Sequence, residues 1–170
     1  MIPEEYLVVE ARIDTEHDNL LTLERELHRY GLFPQISATT VGSFSLDDAA
    51  SCRIIGSILH DYYGAVENVF KTVAARIDKS TPTGVPRHRE LLEQMALTIP
   101  GLRPAVISKE TAEKLDSYRA FRHVFRNVYG FHLAPARMKE LLRELPETSE
   151  ALRADLKRFS SEMRAACGLS

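Results

Sequence analysis

Residues 117–139 contain no acidic side chain, yet they hold Arg119, Arg122, His123, Arg126, Asn127 and His132. Turning each residue by about 100° puts Arg119, Arg122, His123, Arg126 and Asn127 on one helical arc. Phe121, Val124, Phe125 and Val128 fall on the opposite arc, with Tyr118 at its edge, and are expected to face a core. Guanidinium and imidazole groups gathered this way suit a phosphodiester. An arginine holds a phosphoryl oxygen and the charge that develops on it, and an imidazole moves the proton of a 2′-hydroxyl. His132 lies six residues beyond Arg126, but Gly130 permits a helix break that brings it back. His123 reaches the same face with no break, because it precedes Arg126 by three residues and Asn127 by four. Either histidine can therefore supply the imidazole. The competing reading is a solvated charged face, or arginines paired with carboxylates from elsewhere. In particular, Glu67 is expected to pair with one of them.

The elements that must position this face read as helix almost throughout, and the expected fold is an all-α, up-down bundle of five to six helices. A first helix covers Pro3 to Tyr30, ended by Gly31, and residues 31–44 read as a loop. Ser45 and Asp48 form a capping-box pattern before a long helix. Its stripe of Ile55, Leu59, Tyr62, Val66, Val69, Val73 and Ile77, widened by Ile58, Tyr63 and Phe70, marks it as the spine. Two prolines and a glycine make residues 79–86 a turn, and a shorter helix is expected over Arg87 to Thr98. Ser108 precedes the helix that carries the arginines, which runs to Val128 or Tyr129. Pro135 suits the first turn of a helix ending at Leu145, and Pro146 is expected to begin the last one.

Composition narrows the function classes. With 170 residues, the chain is expected to form a single domain. Net charge is −2, but residues 1–84 carry 7 basic and 13 acidic side chains against 15 and 11 in residues 85–170. That asymmetry fits a local anion site better than a bulk nucleic-acid coat. Two cysteines without a paired motif argue against a disulfide framework or a zinc site. No apolar run approaches the ~18 residues of a membrane span and no signal-peptide pattern begins the chain, so a cytoplasmic protein is expected. His60 and Asp61 read as structural, and His17, His28, His88 and Arg89 as surface residues.

Three blocks in order carry a resemblance: HDYYGAVENVF (60–70), TGVPRHRELLEQM (83–95) and YRAFRHVFRNVYGFHL (118–133). Over about residues 45–160 the chain resembles HepT-like toxins of the HEPN superfamily, and Arg126, Asn127 and His132 match that superfamily's arginine-to-histidine motif. The resemblance implies a metal-independent endoribonuclease that needs no cofactor and acts as a homodimer with a composite cleft. It also implies an RNA substrate and an MNT-type nucleotidyltransferase antitoxin, which in some systems attaches AMP to a tyrosine near the motif. Where the best-known motif has that tyrosine, two residues after the histidine, this chain has Ala134, leaving Tyr129 as the nearby substitute. Arg119 and Arg122 become RNA phosphate contacts, and Arg126, Asn127 and His132 or His123 the catalytic set. A catalytically silent module that binds nucleotide or RNA, or regulates a nucleotidyltransferase, is the alternative.

Overall fold

The computed structural model describes residues 2–36, 40–41, 44–45, 48–127 and 134–169, with backbone only at 40–41 and 44–45. Five α-helices make up the described fold: α1 Pro3–Arg29, α2 Ala49–Val73, α3 Arg87–Met95, α4 Lys109–Asn127 and α5 Pro135–Ala166. Between α1 and α2, the two-residue strands β1 (Thr40–Val41) and β2 (Phe44–Ser45) pair antiparallel inside the segment read as a loop.

Helix α2 is the spine, in contact with all four other helices. Every residue of its expected stripe, from Ile55 to Ile77, is at most 3% exposed, and Ile58, Tyr63 and Phe70 are buried beside it. An apolar arc this wide cannot be covered by one neighbour, so α1 packs on one side and α3, α4 and α5 on the others. Two tyrosine hydroxyls drawn into this interior find partners. The Tyr62 hydroxyl meets Ser149 Oγ at 2.8 Å, and the Tyr118 hydroxyl donates to the Leu141 carbonyl at 2.8 Å.

Three boundaries differ from the sequence reading. The cap of α2 is Asp48 rather than Ser45: its carboxylate accepts from the Ser51 amide at 3.0 Å, one turn closer to the first buried residues. Helix α3 stops at Met95, because Ala96 to Arg103 turn back to form a bridge between Ile99 and Arg103. Pro146 does not begin a helix but lies inside α5. It removes one backbone donor, yet Leu141, Leu142, Leu145, Thr148, Ser149 and Leu152 are buried on both sides of it. Continuous burial outweighs the local loss. Ser108, by contrast, caps α4 as its position predicts, accepting from the Thr111 amide at 3.0 Å.

Beyond Val73 the spine widens into a π turn, Ala74–Asp78, closed by Lys79 in the left-handed region (φ 54°). Asp78 at its end meets Arg103, whose Nε and Nη2 donate to the two carboxylate oxygens at 2.5 and 2.8 Å. The remaining Arg103 donors reach the carbonyls of Gln94, Leu97 and Pro104. A bidentate pair this completely bonded ties the end of the spine to α3 and the 96–108 connection.

Candidate functional site: a cationic cleft between α3 and α4

Helix α4 presents its cations because its other face is anchored. Leu115, Tyr118 and Phe121 are buried against the spine, so Arg119, Arg122, His123, Arg126 and Asn127 are carried to the side facing α3. The core arc is narrower than expected: Phe125 is half-buried and Val124 is 48% exposed, so α4 leaves the core about one turn before its end. Helix α3 forms the opposite wall. Gly84, with φ at +81°, makes the turn before it, a conformation that disfavours any side chain. The turn delivers Val85, Pro86, Arg87, His88 and Arg89 to the cleft.

The resulting cleft has a volume of ≈ 490 Å³, and its lining contains five arginines, two histidines and no carboxylate. Sequence reading placed His88 and Arg89 on the surface and missed Arg87, so half of the wall was overlooked. One signal was available. Arg87, His88 and Arg89 occupy the first turn of a helix, where the macrodipole favours anions and disfavours cations.

Beneath the cleft lies Glu67, 1% exposed on α2. Its Oε2 accepts from Arg122 Nη1 at 2.7 Å and from His88 Nδ1 at 2.9 Å, and its Oε1 pairs with Lys71. The expected pairing of Glu67 with the arginine face is therefore present, through Arg122. Burial pushes the Glu67 carboxyl up, but the Lys71 hydrogen bond and the charges of Arg122, Lys71 and His88 outweigh it. The group is held below the ordinary carboxylate range and is ionised at neutral pH. Arg122 Nε and the buried Tyr63 hydroxyl have no hydrogen-bond partner among the described residues. Burial, reinforced by the Glu67 charge, pushes the Tyr63 hydroxyl well above the usual tyrosine range.

The other predicted residues divide into paired and open groups. Arg119 Nε donates to Asp116 at 2.6 Å, so a carboxylate just outside the acid-free run does partner it. Asn127 Nδ2 donates to the His123 carbonyl one turn back at 2.6 Å, fixing the amide on its own helix. His123 and Arg126 are exposed, and neither side chain is paired among the described residues. His132 and Tyr129 lie outside the described residues. His60 bonds Asp61 at 3.0 Å and packs its ring against Phe125 at 5.3 Å, which agrees with a structural role.

Around the cleft, five arginines and Lys71 face three carboxylates, Glu67, Asp116 and Glu93. Arg87 and Arg126 have no carboxylate partner among the described residues. A tetrahedral phosphate group fits this chemistry, because arginines offer paired, directional donors to its oxygens. No described helix is long and apolar enough to cross a membrane.

Neither the curated proteins nor the solved structures contain a match to this chain. A family model does match residues 54–163, which include most of the spine, both walls of the cleft and most of α5. The chain belongs to the family described as HepT-like protein.

Proposed function

We propose that this HepT-like chain is a metal-independent endoribonuclease, the toxin of a toxin–antitoxin pair, which cleaves RNA in the α3–α4 cleft. The observation that carries the reading is the exposed Arg126, unpaired among the described residues, in a wall of cations with no carboxylate lining. Arg126 holds a non-bridging phosphoryl oxygen and stabilises the charge that grows on it in the transition state. Arg122 and Arg119 hold neighbouring phosphates. Their ion pairs with Glu67 and Asp116 restrain each guanidinium while leaving donors over for a ligand. A histidine of the motif, His123 or His132, handles proton transfer, and Asn127 braces the helix end. A surplus of fixed positive charge repels a divalent cation, so the arginines take the electrostatic role that a metal has in other nucleases.

The proposed partners are those that the HepT-like resemblance implies. A homodimer is proposed, with Val124 and Val85, exposed beside the cleft, as apolar contacts between copies. A nucleotidyltransferase antitoxin of the MNT type is proposed to silence the toxin by attaching AMP to Tyr129. The added phosphate would bring negative charge to a cleft that depends on positive charge.

The test is cleavage of a labelled RNA pool by the purified protein in excess chelator. Wild-type protein is expected to leave 2′,3′-cyclic phosphate ends, and Arg126→Ala to cleave far more slowly. One observation favours a second reading, an RNA-binding or regulatory module. The exposed His123 ring has no described side chain to orient it, whereas catalytic imidazoles are usually fixed by a partner. RNA retained by wild-type protein without any cleavage would establish that reading instead.

A further inference from the structure

Cleavage of RNA through its 2′-hydroxyl involves two proton transfers, one from the 2′-oxygen and one to the departing 5′-oxygen. The motif accounts for one imidazole. The cleft contains a second imidazole from outside the motif, on the opposite wall. We propose that His88 is a further catalytic residue, the general base that takes the 2′-hydroxyl proton, held in place for that role by Glu67. The inference rests on the ribonuclease reading above.

Three observations carry it. Glu67 is buried and ionised, so it can only accept, and the His88 Nδ1 bonded to it at 2.9 Å must carry the proton. In the neutral ring that fixes the tautomer and leaves Nε2 as the nitrogen with an available lone pair. A carboxylate holding one imidazole nitrogen so that the other works as a base is the relationship found in hydrolytic triads. Second, the same oxygen, Glu67 Oε2, accepts from Arg122, so the ring is fixed relative to a guanidinium suited to a phosphoryl oxygen. Third, the His88 side chain is 26% exposed and lines the cleft, so Glu67 secures it without sealing it from substrate.

The 2′-hydroxyl gives its proton to His88 Nε2 as the 2′-oxygen forms its bond to phosphorus. The bond from phosphorus to the 5′-oxygen breaks, and that oxygen takes a proton from the motif imidazole. The products are a 2′,3′-cyclic phosphate and a 5′-hydroxyl, with Arg126 on a non-bridging oxygen of the reacting phosphate and Arg122 on a neighbouring phosphate throughout.

The decisive substitution is His88→Asn, because its amide nitrogen can replace Nδ1 in the bond to Glu67 while Nε2 is lost. The substrate is a short labelled oligoribonucleotide containing a junction that wild-type protein cuts in the RNA pool, followed in single turnover at saturating protein. Both His88→Asn and His88→Ala are expected to slow cleavage by about 10²- to 10⁴-fold. Their melting temperatures and affinities for the 2′-deoxy analogue should stay close to wild type. The loss should persist on a substrate whose 5′ leaving atom is sulfur, which departs without a proton.

Wild-type rates in His88→Asn would overturn the proposal in favour of a structural bond. Loss confined to affinity would reduce His88 to a phosphate contact, and loss that vanishes on the sulfur substrate would make it the acid rather than the base. If wild-type protein itself does not cleave, the ribonuclease reading falls, and this inference with it.

Discussion

Two arginine–carboxylate clusters sit eleven residues apart on the same spine, and they are finished differently. At the Asp78 end, Arg103 and Asp78 are at most 2% exposed as side chains, and Arg103 donates to both carboxylate oxygens and three carbonyls. At the Glu67 end, one carboxylate serves Arg122, Lys71 and His88, and Arg122 Nε has no partner among the described residues. A closed cluster has no capacity left for a ligand, so its contribution is to stability. An open one carries uncompensated charge at a cleft, a cost that a bound phosphate would relieve. Residue types alone do not distinguish the two, since each is an arginine on a buried acid. The difference lies in how many donors remain after the protein has used its own acceptors.

The largest expected effect breaks the closed cluster. Arg103→Met leaves Asp78 buried with Gln94 as its one side-chain partner among the described residues, and should destabilise the fold by about 3–5 kcal/mol. Urea unfolding at neutral pH would measure this, and a loss under about 1 kcal/mol would show that the clamp is not the structural element described here. The matching change in the open cleft is Arg126→Ala. Its melting temperature should stay near wild type, because no described side chain pairs with Arg126. Cleavage should fall by about 10²- to 10³-fold, comparable to the loss of an oxyanion-hole donor. An Arg126→Ala protein that melts far below wild type while retaining activity would reverse the assignment of the two regions.

The α4 wall was legible because its signal is local: cations at helical spacing, with no acid among them. The spine was equally legible, since an apolar arc with a 3.6-residue period has one physical meaning. Glu67 was identified as a partner because it is an acid next to an apolar stripe, opposite an arginine face. The α3 wall was not found, since Arg87 and Arg89 are solvent-exposed and nothing local ties His88 to Glu67, 21 residues earlier. The clamp between Asp78 and Arg103 was also invisible, because 25 residues separate the partners and neither lies in a periodic pattern. Pro146 misled for the opposite reason. A strong local rule was overridden by buried leucines on both sides of it.

A smaller effect concerns acid. Because Glu67 titrates below the ordinary carboxylate range in the folded state, its contribution to stability is fully present above the unfolded value of about 4.3. That contribution disappears as pH falls through the lower, folded value. Glu67→Gln removes this dependence along with the ion pairs. The gap in stability between wild type and Glu67→Gln should therefore be widest at neutral pH and narrow below about pH 4. Urea midpoints for the two proteins at both pH values would measure it. An equal gap at both would mean that the carboxylate's charge is not what organises Arg122, Lys71 and His88.

The smallest expected effect probes the rim, where Arg119 pairs with Asp116 at 22% and 50% side-chain exposure. An ion pair this open to solvent contributes about 0–1 kcal/mol, so Asp116→Asn should move the melting temperature little. Its effect on RNA should have the opposite sign to that of removing an arginine. With the acid neutralised, Arg119 keeps all its donors for phosphate, and affinity for a non-cleavable oligonucleotide should rise by a factor of about 2–5, most clearly at low salt. The same substitution at a closed cluster could only cost affinity or stability. Tighter binding from the loss of an acid would thus mark the Arg119 rim as belonging to the open cleft. Unchanged binding at every salt concentration would confine the phosphate-binding surface to Arg122, Arg126 and the α3 wall.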